Sequence, residues 1–197
     1  MKIHFSSIAV VGAGAMGQGI AQIAAQAGSH VWLLDSKPGA ADKARQAIQQ
    51  QWAKLAAKGR VTEEQVQAWN QQLQIANTLA DLGSCQLVIE AVVERLEVKQ
   101  ALFAELERTL PANVVWATNT SSLSVTAIAA ALQQPERLAG FHFFNPVPLM
   151  KVVEVVAGLK TDPALCQALT AYAREMGHTP VQAQDTPGFI VNHAGRG

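Results

Sequence analysis

The chain has 197 residues, of which 49% are hydrophobic and 15% are charged, and its formal net charge at pH 7 is zero. This composition is typical of one substantial domain with a well-buried core, and it excludes a disordered chain. The zero net charge gives no electrostatic reason to expect nucleic acid or an anionic membrane as a partner.

Segments that would direct or anchor the chain elsewhere are not apparent in the sequence. No apolar run approaches the length that crosses a bilayer, and the first residues are too short and polar for a signal peptide. Cys85 and Cys166 lie in separate segments without metal-ligand spacing, which predicts free thiols, a reducing compartment and no metal site. We therefore expect a soluble cytoplasmic protein.

The first predicted element is a buried strand at 8–11, and a glycine-rich turn follows it directly. The sequence GAGAMG at 12–17 has the spacing G-x-G-x-x-G. Gly12 permits a tight turn, and Gly14 lets a pyrophosphate approach the backbone. Gly17 lets the next helix pack closely on the strand. This turn predicts a phosphate-binding site.

A helix over 16–27 and a second buried strand over 30–34 complete a βαβ unit. The helix N-terminus offers unpaired N–H groups and a positive dipole end to phosphates. Asp35 ends the second strand, where its carboxylate can accept hydrogen bonds from ribose hydroxyls and repel a 2′-phosphate. Ser36 and Lys37 follow it, with no arginine. The unit predicts a dinucleotide site that prefers NAD to NADP; the alternative is a strand–turn–helix whose glycines serve packing only.

The rest of the chain continues to alternate helices and strands. After the second strand, two helices are predicted as a helical excursion, over 38–58 and 62–75, and Thr62, which Glu63, Glu64 and Gln65 follow, is predicted to cap the second. The further predicted strands lie at 85–92, 114–120, 138–146, 151–158 and 179–184, and the further helices at 95–109, within 121–132, at 163–176 and from Phe189. This alternation predicts an α/β fold: a Rossmann-type, doubly wound, mostly parallel sheet with a helical-hairpin excursion after the second strand.

Polar residues cluster where the predicted strands end. Besides the glycine turn, these stretches are Glu90–Glu94, Asn119–Ser122 and His142–Asn145. In open α/β sheets the ligand binds outside the carboxyl ends of the strands, at the point where strand order reverses. We therefore expect these side chains to lie around one ligand site.

Five segments together carry a family resemblance. They are GAGAMGQGIA (12–21), EAVVE (90–94), NTSSL (119–123), HFFNPVPLMKVVE (142–154) and DTPGFIVN (185–192). With these segments the chain closely resembles the NAD-binding domain of the L-3-hydroxyacyl-CoA dehydrogenase family over essentially its whole length. The resemblance implies an NAD-dependent oxidation of the 3-hydroxyl of a 3-hydroxyacyl-CoA to a 3-oxoacyl-CoA.

The resemblance also implies four catalytic residues. His142 corresponds to the base that takes the proton of the 3-hydroxyl, and Glu154 to the carboxylate that pairs with its imidazole. Ser121 and Asn192 correspond to side chains that hydrogen-bond the reacting oxygen atoms. Histidine titrates near neutral pH, and a neighbouring carboxylate fixes its tautomer and stabilises the imidazolium. Without the resemblance, a hydrogen-bonded core histidine is the better interpretation of His142.

Cofactor and substrate contacts follow from the motif and the resemblance together. The cofactor-contacting positions are Gly12, Gly14, Ala15, Met16, Gly17, Asp35, Glu94, Lys99 and Asn145. The acyl-CoA contacts of the family fall around Ser121 in the site and around Gln51 and Lys58 in the helical excursion. The expected cofactor is NAD, and the expected partner is an acyl-CoA substrate.

The end of the sequence departs from the family pattern. Residues 1–188 correspond to the NAD-binding domain, and 189–197 to the start of a helical C-terminal domain that is missing, so we expect a truncated chain. In relatives that domain closes over the acyl-CoA and forms a homodimer. Because a water-poor cleft helps hydride transfer, we expect the fragment to bind NAD yet turn over poorly. His193 stands where many relatives have arginine.

Several alternatives remain open at this point. The final VNHAGRG resembles family members of bacterial phenylacetate catabolism, which oxidise 3-hydroxyadipyl-CoA, while a 3-hydroxybutyryl-CoA enzyme is equally open. A non-catalytic NAD-binding module would be free to lose His142, Glu154, Ser121 or Asn192, and all four are present. A dehydrogenase of a non-CoA hydroxy acid would have no use for the excursion at 38–75.

Overall fold

A computed structural model describes residues 4–187 and residue 189, which form one eight-stranded sheet with six α-helices. The strands are β1 (Ser7–Val11), β2 (His30–Leu34), β3 (Leu73–Ile75), β4 (Leu87–Glu90), β5 (Val115–Thr118), β6 (Leu138–Phe143), β7 (Val152–Ala157) and β8 (Thr179–Gln184). The helices are α1 (Ala15–Gln26), α2 (Ala40–Ala57), α3 (Glu63–Gln72), α4 (Leu96–Thr109), α5 (Val125–Ala129) and α6 (Pro163–Glu175).

The strand order across the sheet is β3-β2-β1-β4-β5-β6-β7-β8. All neighbouring strands pair in parallel except β6 and β7, which are antiparallel. The order reverses between β1 and β4, and this reversal is the point where doubly wound sheets bind ligands. The predicted Rossmann-type, mostly parallel sheet is confirmed.

The core lies on both faces of the sheet. Alternate residues of β1 point to opposite faces, so Ile8 packs in one hydrophobic cluster and Ala9 in the other. The first cluster takes apolar side chains from α1, α2 and α6, and the second takes them from α4 and α5. In the part of the chain described, no helix combines the length and the apolar character that crossing a bilayer requires.

The helical excursion ends earlier than the sequence pattern predicts. Thr62 caps α3 with the expected capping box, but the helix ends at Gln72 rather than at residue 75. Leu73–Ile75 form the edge strand β3 instead, and Leu73 is buried opposite Val31 of β2. Pairing with a distant strand thus overrides a local pattern that continues the helical spacing.

The helix predicted within 121–132 is also shorter, because α5 spans only Val125–Ala129. Ser124 is its N-cap, with its hydroxyl accepting a hydrogen bond from the Ala127 N–H. The N–H groups of Ser121 and Ser122 donate to the Glu94 carboxylate. This carboxylate holds the segment after β5 as a turn rather than as the first turn of a helix.

Candidate active site

The glycine turn between β1 and α1 is packed tightly at two of its three glycines. A Cβ on Gly12, which has a φ of 107°, would lie 2.4 Å from the Ala91 carbonyl oxygen. A Cβ on Gly17 would lie 1.7 Å from the carbonyl oxygen of Gly12. A Cβ on Gly14 would meet no atom within 4 Å. Gly12 and Gly17 therefore fix the turn, and Gly14 borders the open space that a pyrophosphate needs.

The residues around this turn fit a nicotinamide dinucleotide. The N-cap of α1 is Gly14, which makes no side-chain cap hydrogen bond, and the first turn of the helix holds no acidic residue. The positive end of the helix therefore faces the open space without a competing carboxylate on its first turn. Asp35 lies beside the turn and accepts hydrogen bonds from the N–H groups of Ala13 (2.7 Å) and Lys37 (2.8 Å).

A pocket of about 350 Å³ opens at the carboxyl ends of β1, β4, β5 and β6. It brings together five of the predicted site residues, namely Met16, Glu94, Ser121, His142 and Asn145. The other residues that line it are Ala91, Val92, Asn119, Phe143 and Phe144. The polar stretches that end separate strands thus meet at one place, as the sheet topology requires.

His142 and Glu154 form a buried pair beside this pocket. They face each other across the antiparallel ladder of β6 and β7, and the distance from Nδ1 to Oε2 is 2.7 Å. Their exposed fractions are 5% and 0%. Because a carboxylate only accepts, Nδ1 carries the proton, and Nε2 is the nitrogen left to accept one from a ligand. The Phe144 and Phe189 rings pack against the imidazole at centroid distances of 4.4 and 5.8 Å.

Glu94 organises the turn that carries Ser121. Its carboxylate accepts hydrogen bonds from the Thr120 hydroxyl and from the N–H groups of Ser121 (2.9 Å) and Ser122 (3.2 Å). Burial alone would raise the pKa of Glu94, but the Thr120 hydroxyl, the Lys99 ammonium and the Ser121 N–H together lower it to about 2. Glu94 is therefore ionised at neutral pH, and it holds Ser121 at the edge of the pocket.

Behind Glu94 lies an ionic network that the sequence analysis did not identify. The Lys99 ammonium is buried and lies 2.6 Å from Glu90 Oε1 and 3.2 Å from Glu94 Oε2. Glu90 is fully buried and also accepts hydrogen bonds from the Thr118 hydroxyl and the Val92 N–H, each at 2.7 Å. The available signal was a glutamate at the end of the otherwise apolar strand LVIE. The structure thus places Lys99 behind Glu94 rather than among the residues that line the pocket.

Asn119 is a second residue to which the sequence analysis gave no individual role. Its side-chain oxygen accepts a hydrogen bond from the Phe143 N–H at 2.9 Å. This bond ties the end of β5 to β6 at the residue next to His142. Asn119 also lines the pocket, so it contributes both to the position of the imidazole and to the pocket surface.

One of the two substrate contacts predicted in the helical excursion, Gln51, lies along a separate groove of about 510 Å³. Gln51 lines it together with Lys54, and Asn145 lines both this groove and the pocket. Lys58 follows the last residue of α2 and is not among the described residues that line the groove. The groove and the pocket therefore adjoin at Asn145.

Some predictions lie outside the described residues. Asn192 and His193 belong to this group, as does the proposed start of a C-terminal domain at 189–197 apart from Phe189. Within the ranges 4–187 and 189, no three His, Cys, Asp or Glu side chains are arranged to hold a metal ion.

Comparison with known protein families matches residues 7–186 to the model described as "3-hydroxyacyl-CoA dehydrogenase, NAD binding domain". The chain belongs to the 3-hydroxyacyl-CoA dehydrogenase family. The family prediction made from the five segments is thereby confirmed. The matched region is the NAD-binding domain of the family, which also confirms NAD as the cofactor.

Individual relatives of this family are similar over nearly the whole chain. The chain is 43% identical over 196 residues to 3-hydroxyadipyl-CoA dehydrogenase of Escherichia coli K12, covering 100% of this chain and 41% of the relative. It is 42% identical over 190 residues to a probable 3-hydroxybutyryl-CoA dehydrogenase of Bacillus subtilis 168, covering 96% and 66%. A crystal structure of 3-hydroxybutyryl-CoA dehydrogenase from E. coli K12 superposes with a TM-score of 0.95 at 43% identity, covering 98% and 41%. The chain thus spans less than two thirds of the length of these relatives.

Proposed function

We propose that this chain supplies the cofactor site and the proton-transfer residues of an enzyme that oxidises the 3-hydroxyl of a 3-hydroxyacyl-CoA to a 3-oxo group. The observation that carries the proposal is the buried His142–Glu154 pair, whose imidazole lines the same pocket as Ser121 and Asn145. A non-catalytic NAD-binding module would have no need of a buried base aligned with a pocket in this way.

His142 acts as the general base in this proposal. NAD, when bound, supplies the acceptor for the hydride that leaves C3 of the substrate. Nε2 of His142 takes the proton of the 3-hydroxyl, and Glu154 stabilises the imidazolium that results through the Nδ1–H bond. A positioned base of this kind contributes about 10²–10⁴-fold in rate. Because Glu154 is fully buried, its charge acts on the imidazole with little screening by water.

Ser121 and Asn192 complete the proposed catalytic set by hydrogen-bonding the reacting oxygen atoms. The position of Ser121 is supported by Glu94, which binds the Ser121 N–H and accepts from the Thr120 hydroxyl on the same turn. Because Ser121 lines the same pocket as His142, its hydroxyl can hydrogen-bond the substrate oxygen both in the alcohol and in the carbonyl. Asn192 lies outside the described residues, so its role stays a prediction.

The groove along α2 supports a CoA ester rather than a free acid as substrate. Four glutamines line it, namely Gln18, Gln22, Gln50 and Gln51. Carboxamides both donate and accept hydrogen bonds, so they match the amide groups of a pantetheine arm. Lys54 adds a positive charge that suits a phosphate. Because Asn145 lines both spaces, an acyl group in the pocket would be continuous with a carrier in the groove.

The proposal names a class of substrates and does not specify the acyl group. The E. coli and B. subtilis relatives carry different substrate names, and their identities to this chain are 43% and 42%. These sequence identities therefore do not favour one of the two substrates over the other, and the proposal covers 3-hydroxyacyl-CoA esters as a class. The homodimer expected of the full-length protein, and the low turnover expected of this chain alone, also stay predictions.

The test is a substrate panel followed by nicotinamide absorbance. The purified chain is assayed with NAD and either 3-hydroxyadipyl-CoA, 3-hydroxybutyryl-CoA or the corresponding free hydroxy acids, with the full-length B. subtilis relative as a positive control. We expect NADH to form with the CoA esters, more slowly than with the control. Equal rates with the free acids would support a non-CoA dehydrogenase. NAD binding without any turnover by a full-length protein that contains this chain would support a non-catalytic module.

A further inference from the structure

Three charged side chains behind the pocket, Glu90, Glu94 and Lys99, form what we call the Glu90 cluster. The Lys99 ammonium contacts both carboxylates, at 2.6 Å from Glu90 and 3.2 Å from Glu94. Lys99 and Glu90 have exposed fractions of 1% and 0%. The cluster thus holds two negative charges and one positive charge, and its net charge is negative.

Only Glu94 reaches the pocket surface. It is one of the residues that line the pocket, whereas Glu90 and Lys99 lie behind it. Glu90 binds Lys99 through Oε1 and the Thr118 hydroxyl through Oε2. Glu90 therefore acts on a ligand in the pocket through its charge and through Lys99, not by contact.

Glu90 changes the charge that the pocket experiences. If Lys99 paired with Glu94 alone, the two charges would cancel next to the pocket. Because Lys99 lies closer to Glu90, much of its positive charge is balanced there, and Glu94 keeps negative charge at the pocket wall. Inside a protein such a charge is weakly screened and acts over several ångströms.

We propose that Glu90 is an electrostatic positioning residue that makes the site favour the oxidised cofactor over the reduced one. The inference rests on the proposed function, because hydride transfer beside His142 requires the nicotinamide ring to enter the pocket that His142 and Glu94 both line. The ring carries a positive charge in NAD⁺ and none in NADH, so negative charge at the pocket wall stabilises NAD⁺ selectively. Both forms of the cofactor carry the same pyrophosphate, so the electrostatic interaction of the pyrophosphate with the cluster cancels in the ratio of the two affinities.

The test is the ratio of the dissociation constants of NADH and NAD⁺, measured by NADH fluorescence titration and by displacement with NAD⁺. Glu90→Gln makes the cluster neutral and should lower this ratio roughly tenfold, whereas Lys99→Gln removes the positive charge, leaves two negative charges and should raise the ratio roughly tenfold. The double variant Glu90→Gln/Lys99→Gln has the original net charge and should restore the ratio. Glu97→Gln is the matched control, since it removes an exposed carboxylate from the first turn of the same helix.

These measurements separate an electrostatic role from a structural one. If the cluster only held the turn in place, the variants would lower the affinities for both cofactors equally. An unchanged ratio of dissociation constants in folded variants would overturn this inference and leave the proposed function standing. A ratio that moves in the same direction in both single variants would overturn it as well. If Glu90→Gln does not fold, as judged by circular dichroism, the comparison of Lys99→Gln with the double variant or with the unchanged chain decides the sign. If the unchanged chain binds neither cofactor, the proposed function fails together with this inference.

Discussion

The glycine turn and the His142–Glu154 pair both lie toward the carboxyl ends of the parallel strands, but they are built from different parts of the chain. The turn between β1 and α1 presents backbone N–H groups, and its shape depends on missing side chains. The pair on β6 and β7 depends on two side chains held opposite each other by an antiparallel ladder. From this difference we predict that cofactor binding and catalysis are separable: substitutions in the turn should alter cofactor affinity, and substitutions in the pair should alter the catalytic rate.

The largest effect is expected from removing the proposed base, His142. His142→Gln leaves a side chain that fills the space but cannot take the substrate proton. We expect kcat for a 3-hydroxyacyl-CoA to fall by about 10²–10⁴-fold while the dissociation constant of NAD is unchanged. Steady-state kinetics and NADH fluorescence titration measure the two quantities.

The control for that variant is His30→Gln. His30 is the first residue of β2, so it lies at the amino ends of the parallel strands, whereas the pocket lies at their carboxyl ends. It should leave both kcat and NAD affinity unchanged. A His142→Gln variant that loses NAD affinity and keeps its kcat would show that the imidazole serves binding, and the division between the two regions would be wrong.

A second test addresses the choice of cofactor at the end of β2. Asp35→Ser removes a carboxylate that is predicted to repel a 2′-phosphate and that accepts a hydrogen bond from the Ala13 N–H. We expect the preference for NAD over NADP, as the ratio of dissociation constants, to fall by about 30-fold. Asp42→Ser is the control, since it removes an exposed carboxylate from α2. An unchanged ratio in Asp35→Ser would contradict the assignment of this residue to the ribose.

The smallest expected effect sharpens the comparison within the turn itself. Gly14→Ala places a methyl group in open space, so stability should stay the same while the dissociation constant of NAD rises by about fivefold. Gly17→Ala should instead lower the melting temperature strongly, because its methyl would overlap the Gly12 carbonyl oxygen. Thermal melts and NAD titrations of both variants check this. Equal destabilisation by the two substitutions would show that Gly14 is also a packing residue.

Most of the fold could be predicted because its signals are local. Apolar strands followed by turn residues and amphipathic helices indicated the α/β sheet and the helical excursion, and Thr62 was identified as a cap from its neighbours alone. The edge strand β3 was missed because Leu73–Ile75 continue the apolar spacing of the preceding helix. Its identity depends on pairing with Val31, which is distant in the sequence.

The candidate site shows the same limit. The contact of His142 with Glu154 was expected, because the family resemblance implies that the residues at these two positions pair. The ionic contact of Lys99 with Glu90 was not expected, because it depends on how α4 is rotated over the sheet. A lysine on a helix is usually solvated, and no local pattern indicates that this one is buried.

The antiparallel pairing of β6 and β7 has a consequence for how this protein can vary. Side chains alternate between the two faces of a strand, so a shift of one residue in either strand would send the imidazole and the carboxylate to opposite sides of the sheet. The connecting segment 144–151 is also held in place, because the Val147 carbonyl oxygen accepts a hydrogen bond from the buried His178 ring at 3.0 Å and Asn145 lines the pocket. A single insertion or deletion inside either strand should therefore abolish the contact of His142 with Glu154, whereas substitutions that keep both strand lengths should preserve it.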